Sequence, residues 1–216
     1  DFVVGDATLH RFFSFHVIAV PFVLVGLVAA HILALHEVGS NNPDGVEIKK
    51  KKDEKGIPLD GIPFHPYYTV KDIVGVVVFL AVFSIIVFFM PEGGGYFLEY
   101  NNFIPADPLV TPPHIAPVWY FTPYYSLLRA ITYPLFGIDA KFWGVVAMGA
   151  GVVIFAFLPW LDRSPSKSIR YRGPIFKGFL AVWLVCSFIL GYLGVLAPTP
   201  MRTLVSQICT FIYFAF

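Results

Sequence analysis

Two histidines lie inside the first long apolar run of the chain, and imidazole is a common ligand of metals. The run covers residues 11–43 and holds His16 and His31, 15 positions apart. At about 100° and about 1.5 Å per residue, an α-helix places the two imidazoles within roughly 60° of one face and roughly 22 Å apart. Histidines inside membrane-spanning helices are rare and are candidates for function. Two at different depths indicate two redox centres, because ligands of one shared metal lie within a few ångströms.

The composition is that of an integral membrane protein. Hydrophobic residues make up 57% of the 216 residues and charged residues only 13%, whereas soluble domains carry about 25% charged residues. Apolar segments of helix length predict membrane-spanning helices. The net charge of +1 does not point to nucleic acid, and we predict no nucleic-acid partner.

The predicted fold is all-α, a polytopic transmembrane helix bundle of about five spans. Pro21 should kink the first span or loosen one of its turns. The last span is shorter than the ~20 residues needed to cross a membrane, and the chain begins at Asp1 rather than at a methionine. We therefore expect it to be part of a longer protein. The predicted spans are residues 9–35, 73–90, 142–160, 176–196 and 203–216.

The distribution of positive charge predicts the orientation of these spans. Cytoplasmic loops of membrane proteins carry an excess of Lys and Arg, and most of these residues fall in or beside two alternate loops. This places the Pro-rich and aromatic segment 91–141 on the outer side, where we expect short helices that fold back onto the membrane. The cytoplasmic cations are Lys49, Lys50, Lys51, Lys52, Lys55, Lys71, Arg163, Lys167, Arg170, Arg172 and Lys177.

Several motifs, in order, resemble cytochrome b of the quinol:cytochrome c oxidoreductase (bc1) complex. The resemblance covers essentially the whole chain, from the family's fourth helix to inside its eighth. The 15-residue histidine separation is one longer than in mitochondrial members, and with the Lys-rich loop it suggests a bacterial member. The motifs are RFFSFH at 11–16, HEVGSNNP at 36–43, FHPYYTVKD at 64–72, PLVTPPHIAPVWYF at 108–121 and LLRAI at 127–131.

The resemblance implies a domain organisation and a function. Residues 1–36 would form a haem-ligating helix, 37–69 a cytoplasmic loop, and 70–216 the C-terminal domain with the quinol-oxidation segment 91–141. The complex oxidises ubiquinol at the outer face and passes electrons through two b haems to ubiquinone at the inner face, coupled to proton translocation. The implied partners are the N-terminal part of cytochrome b, the Rieske iron-sulfur protein, cytochrome c1 and membrane lipid, in a dimeric complex of the bacterial inner membrane.

The resemblance also implies the haem ligands and the inner quinone site. His16 would ligate the low-potential haem near the outer face and His31 the high-potential haem near the inner face. The second ligand of each haem would come from a helix outside this chain, and Arg11 would neutralise haem propionates. The inner quinone-reduction site is expected at His36, Ser40, Phe64, Lys71 and Asp72. By themselves, Lys71 and Asp72 would also fit a helix cap with a membrane-surface anchor.

The outer quinol-oxidation site is expected at Pro117, Trp119, Tyr120, Phe121 and Tyr125. Aromatic residues here would also fit plain packing at the membrane interface. The family motif is Pro-Glu-Trp-Tyr, but this chain has Val118 in place of the Glu. Valine cannot accept a proton or a hydrogen bond. We hypothesise that Tyr125, water or a carboxylate elsewhere supplies the acceptor.

Two other kinds of membrane protein remain as alternatives. A di-haem membrane-anchor subunit of another quinone-linked dehydrogenase would share the two histidines but would not need the PVWY segment. A transporter with Pro-broken helices would need charged residues at mid-membrane, and the apolar cores of these spans carry none.

Overall fold

The computed structural model describes residues 5–93, 100–105, 107 and 109–216. In these ranges it contains helices and two isolated β-bridges but no extended strand, which confirms the all-α prediction. The chain forms two compact units. The first comprises the described residues of Asp1–Val46 and Asp107–Thr111, and the second those of Glu47–Ala106 and Pro112–Phe216.

The first unit is built on one long helix with an irregular turn. Helix α1 (Asp6–Ser14) leads into a π-turn (Phe15–Ala19), and helix α2 (Val20–Val38) follows without a break. The expectation that Pro21 loosens one turn is confirmed, because the π-turn ends at Ala19, two residues before Pro21. None of the described residues of this helix is buried.

The second unit begins with the Lys-rich loop and helix α3 (Tyr67–Phe89). The loop contains a short 3-10 helix (Ile48–Lys50) and a β-bridge between Lys52 and Pro58. Helix α3 starts at Tyr67 rather than at residue 73, so Lys71 and Asp72 lie on the helix instead of just before it. The early start follows from Pro66 at the cap position, where the fixed φ of proline favours a helix start.

The remaining helices form the packed part of the molecule. They are α4 (Thr122–Ala130), α5 (Ala140–Leu161), α6 (Pro174–Val195) and α7 (Pro200–Ala215). Helix α4 is a short helix in the predicted Pro-rich segment, and it packs against all three of the others. Among the described residues, four helices are long and apolar enough to span a membrane: Asp6–Val38, α3, α5 and α6. Helix α7 corresponds to the short fifth span. The core consists of Leu127, Cys186, Leu190, Cys209 and Tyr213.

Side-chain caps and prolines set where the long helices start. Asp139 accepts a hydrogen bond from the Lys141 N–H at the start of α5, and Thr199 accepts one from the Arg202 N–H at the start of α7. Pro174 and Pro200 occupy first helical positions, where the missing N–H of proline costs nothing. Helices α5 and α7 therefore begin at a side-chain cap, and α6 and α7 begin at a proline.

Helix α4 fits against α5 and α6 because glycines face it. A Cβ atom on Gly144 of α5 would lie 2.5 Å from the Leu128 carbonyl oxygen. A Cβ atom on Gly194 of α6 would collide with the backbone of Thr122, at the start of α4. Small residues allow backbones to approach this closely in membrane proteins. The close fit holds the Pro-rich segment on the ends of the spans.

Substitution of Gly194 should test this fit, with Gly191 as the control. Gly194→Ala should lower the free energy of unfolding by about 1 to 3 kcal/mol, because the backbone of Thr122 must move. Gly191→Ala should have little effect, because its Cβ would meet Pro123 at 3.5 Å, an ordinary contact. The measurement is the temperature at which the two buried thiols, Cys186 and Cys209, become reactive toward a maleimide, as detected by mass spectrometry. Equal midpoints for both variants would contradict the proposed fit.

Candidate functional sites

His16 and His31 lie on the same continuous helix, with free side chains. His16 is in the π-turn and His31 in α2, and both are exposed. Neither imidazole has a hydrogen-bond partner among the described residues, so both remain available as ligands. Where the structure describes the chain, no three His, Cys, Asp or Glu side chains are grouped to hold a metal ion. That the second axial ligand of each haem comes from a helix outside this chain stays a prediction.

The C-terminal end of α2 carries the next two predicted site residues. The Nδ1 atom of His36 lies 2.9 Å from the Ile32 carbonyl oxygen, which can only accept, so Nδ1 carries the proton. The Nε2 atom of His36 is then the available proton acceptor. Gly39 ends the helix at φ +69°, a conformation that glycine adopts without steric cost. Ser40 follows it and is exposed.

Around the first turns of α3, an aromatic and basic cluster forms in the second unit. The rings of Phe64 and Tyr68 stack with centroids 6.0 Å apart, and the Lys71 ammonium lies 5.2 Å above the Tyr68 ring. Asp72 is exposed and has no partner among the described residues. Phe64 and Lys71 are thus brought together through Tyr68, a residue that the sequence analysis missed although it lies between them at helical spacing. His36 and Ser40 belong to the first unit, so their grouping with this cluster stays a prediction.

A tight turn shapes the outer segment just before α4. The Phe121 N–H donates to the Val118 carbonyl oxygen at 2.8 Å, and the Thr122 hydroxyl donates to the Trp119 carbonyl oxygen at 2.7 Å. These bonds use the backbone of Val118 and not its side chain, which is 51% exposed. The turn therefore forms with any side chain at position 118.

The aromatic side chains of this turn are exposed. Trp119 and Tyr120 make an edge contact with centroids 5.6 Å apart and are 74% and 62% exposed. Phe121 leans on Tyr124 at 5.9 Å. Pro117 is half-buried. The five predicted outer-site residues thus lie within one turn and the first turn of α4, and of these Trp119 and Tyr120 have rings in contact.

Arg129 links Tyr125 to the C-terminal end of α6. One guanidinium nitrogen donates to the Leu193 carbonyl oxygen at 3.1 Å and to the Leu196 carbonyl oxygen at 2.9 Å. The same guanidinium lies 5.1 Å above the ring of Tyr125. A cation is favourable at the carbonyl end of a helix. Tyr125 is therefore held against a group that is itself anchored to a spanning helix.

His114 makes a second attachment to the same end of α6. Its Nε2 atom lies 2.7 Å from the Val195 carbonyl oxygen, so Nε2 carries the proton and Nδ1 is the acceptor. The His114 carbonyl oxygen accepts from the Asn101 side chain at 3.2 Å. Arg129 and His114 were not predicted as site residues. The sequence feature that could have identified them is that both carry a hydrogen-bonding side chain within a largely apolar segment.

Two further hydrogen bonds join α4 to α6 and α7. The Ser126 hydroxyl is buried and donates to the Leu190 carbonyl oxygen at 2.5 Å. The Gln207 amide of α7 donates to the Ala130 carbonyl oxygen at 3.1 Å and contacts the Thr132 hydroxyl at 3.0 Å. Helix α4 is thus tied to α6 and α7 along its whole length.

Ion pairs link the loops predicted to be cytoplasmic. The Lys167 ammonium lies 3.2 Å from the Glu47 carboxylate, whose pKa it lowers through a hydrogen bond and its charge. The Arg172 guanidinium likewise lowers the pKa of Asp162. A lowered carboxyl pKa means that each pair stabilises the fold above the usual pKa and loses that contribution as the pH falls through the lowered value. The Lys167–Glu47 pair joins the Lys-rich loop to the loop after α5, and the Arg172–Asp162 pair lies within the loop after α5.

Known proteins match this chain over its whole length. The family described as "Cytochrome b(N-terminal)/b6/petB" matches residues 1–123, and "Cytochrome b(C-terminal)/b6/petD" matches residues 105–214. The cytochrome b of Allochromatium vinosum is 56% identical over all of this chain and 52% of its own length. The cytochrome b of Rhodospirillum rubrum is 46% identical over 99% of this chain and 48% of its own length. The chain spans about half the length of these curated relatives.

A solved structure shares the fold. The matching chain is described as a hyperthermophilic respiratory complex III; it is 40% identical and superimposes with a TM-score of 0.83. The match covers 99% of the present chain and 50% of that chain. The similarity therefore extends over the helix that carries His16 and His31 and over the packed helices alike.

Replacement of Arg129 should show how far the outer segment depends on this anchor. Arg129→Gln should lower the free energy of unfolding by about 1.5 to 3 kcal/mol, because hydrogen bonds from a charged donor are lost. The matched control is Arg202→Gln, which removes an exposed bond to the Ala197 carbonyl oxygen and should cost no more than about 0.5 kcal/mol. Maleimide labelling of the buried cysteines during heating would measure both. An Arg129 variant as stable as the control would show that Arg129 is not an anchor.

Proposed function

The chain belongs to the cytochrome b family, and on that premise we propose that it forms part of the cytochrome b subunit of a bacterial quinol:cytochrome c oxidoreductase. The observation that carries the proposal is the long apolar helix with two exposed, unpartnered histidines, together with the aromatic turn anchored to α6. The first feature suits haem ligation, and the second suits binding of an apolar ring. The complete subunit would include sequence equivalent to the other half of its relatives.

The proposed role of His16 and His31 is to provide one axial ligand to each of two b-type haems. The imidazoles fit this role, because both are free of internal hydrogen bonds and neither is covered by the described chain. Haems held by two imidazoles supply one-electron transfer without an open position for oxygen. Arg11, in the last turn of α1, would offset the charge of the propionates at the outer end.

At the outer face, quinol would be oxidised against the wall formed by Pro117, Trp119, Tyr120, Phe121 and Tyr125. Oxidation of quinol releases two protons, so a proton acceptor must lie near the ring. Val118 cannot act as that acceptor. We assign the role to the phenol oxygen of Tyr125, whose ring is held in place by the Arg129 guanidinium. The neutral phenol would accept a hydrogen bond from the quinol hydroxyl and, as it takes up that proton, would pass its own hydroxyl proton to water on the outer side, so that it ends again as a neutral phenol.

At the inner face, the groups proposed to bind quinone are His36, Ser40, Phe64, Lys71 and Asp72. Reduction of quinone takes up two protons from the cytoplasm. The free Nε2 atom of His36 and the unpartnered Asp72 carboxylate are suited to carry them. The Lys71 ammonium would bind a quinone carbonyl, and Tyr68 would position it.

The assembly proposed for this subunit follows from the orientation of its loops. The Lys-rich loops face the cytoplasm, and the Pro-rich segment faces the outside of the bacterial inner membrane. The exposed aromatic turn offers a docking surface for the Rieske iron-sulfur protein. Cytochrome c1, the other part of cytochrome b and membrane lipid complete a dimeric complex, with ubiquinol as the substrate.

A redox titration of the purified membrane complex tests the proposal as a whole. Reduced-minus-oxidised absorbance should resolve two b-type components with different midpoint potentials. Only the component of higher potential should respond to an inhibitor of the inner quinone site. A single component, or none, would mean that His16 and His31 do not both ligate haem.

Substitutions at Tyr125 and Val118 test the assigned proton acceptor. Tyr125→Phe should lower the rate of quinol oxidation at least about tenfold, because general acid–base catalysis typically contributes 10²- to 10⁴-fold. In a Val118→Glu background the same substitution should have a much smaller effect, and Val118→Glu alone should change the pH dependence of the rate.

The control for these variants is Tyr133→Phe, which removes the hydroxyl of an exposed tyrosine beyond α4. It should leave the rate of cytochrome c reduction unchanged. If Tyr125→Phe has an equal effect in both backgrounds, or if Val118→Glu leaves the pH profile unaltered, the acceptor is another group.

A further inference from the structure

The hydrogen-bond pattern changes for one turn at the residue proposed to ligate the outer haem. The N–H of Val20 donates to the carbonyl oxygen of Phe15, five residues earlier, instead of to that of His16, four residues earlier. The helices on both sides are regular α-helices. Single wide turns of this kind are rare in proteins as a whole, and those that occur are often at functional sites.

Pro21 explains why the wide turn lies at this place. Proline has no N–H, and in a regular helix its ring clashes with the carbonyl four residues earlier, here that of Val17. Opening the preceding turn relieves this crowding. It also leaves the His16 carbonyl without a helical donor, because Val20 donates to Phe15 and Pro21 cannot donate.

The wide turn changes the direction in which His16 points. Fifteen residues of regular α-helix rotate by about 1500°, which is about 60° beyond four full turns. A π-turn fits one extra residue into the same rotation, so the rotation becomes that of 14 residues. That is about 1400°, or about 40° short of four turns. The imidazole of His16 therefore moves by about 100° to the other side of the direction of His31.

We propose that the π-turn Phe15–Ala19 sets the rotational position of His16 relative to His31. It takes up one residue of the 15-residue separation, so that both imidazoles face the haem-binding side with the angle of a 14-residue α-helical spacing. The π-turn is thus a positioning element. The inference rests on the proposed haem ligation by the two histidines.

Single-residue deletions in the full-length subunit distinguish this arrangement from a regular helix. Deletion of Ile18 removes the extra residue from the π-turn and leaves a 14-residue α-helical spacing with the same rotation. Deletion of Val25 removes a residue from the regular helix α2, and with the π-turn retained it rotates His31 by about 100° relative to His16. Both variants have the same number of residues between the histidines.

The measurement is the ratio of haem to protein in isolated membranes, by pyridine haemochrome, together with the reduced-minus-oxidised spectrum. The Ile18 deletion should keep both haem signals at wild-type level, and the Val25 deletion should lose at least one of the two. Loss of haem or failure to assemble in the Ile18 deletion would overturn the inference, as would equal behaviour of the two variants. A wild-type subunit without haem would instead overturn the proposed function, so the two failures are distinguishable.

Discussion

The carbonyl groups at the C-terminal end of α6 need hydrogen-bond donors, and the Pro-rich segment that holds His114 and Arg129 supplies them. A helix leaves its last carbonyls without internal partners, and near a membrane such groups are costly if they stay unpaired. Arg129 bonds those of Leu193 and Leu196, and His114 bonds that of Val195. The residues that satisfy the spanning helix are therefore also the residues that position the aromatic turn.

The need to pair backbone hydrogen-bonding groups also applies to the long helix of the first unit, where the missing group is an N–H donor. Pro21 removes one backbone N–H, and the π-turn redistributes the hydrogen bonds just before it. In a soluble protein, water could satisfy the freed carbonyl of His16. In a membrane, the carbonyl needs a donor from another part of the protein or an ordered water, which makes this turn sensitive to its neighbours. The irregularity coincides with His16, the residue that we propose as a haem ligand.

The spans could be predicted closely from the sequence, because uninterrupted apolar runs of sufficient length leave few alternatives. The start of α3 was predicted too late, since the residues from Tyr67 to Asp72, apart from Val70, are polar or amphipathic and do not extend the apolar run. The contacts that position the sites were harder to predict. The bonds of His114 and Arg129 join residues more than 60 positions apart, and spacing along the chain carries no information about them. Pro21 indicated a loosened turn, but not that the turn would contain one extra residue.

The contrast between the packed and unpacked helices bears on how the sites work. Helices α2 and α3 bury no residue, so their apolar faces are available to lipid, cofactor or other protein, whereas α4 is fixed on three sides. Within the fixed part, the turn at Val118 is held by a backbone bond from Phe121 and a bond from the Thr122 hydroxyl, and the Val118 side chain takes part in neither. A carboxylate can therefore be absent from position 118 without loss of the turn. Val118 offers no proton acceptor at this position but leaves the two bonds of the turn intact. Tyr125 is the neighbour held by a charged anchor, Arg129, and for that reason we assign the acceptor role to it.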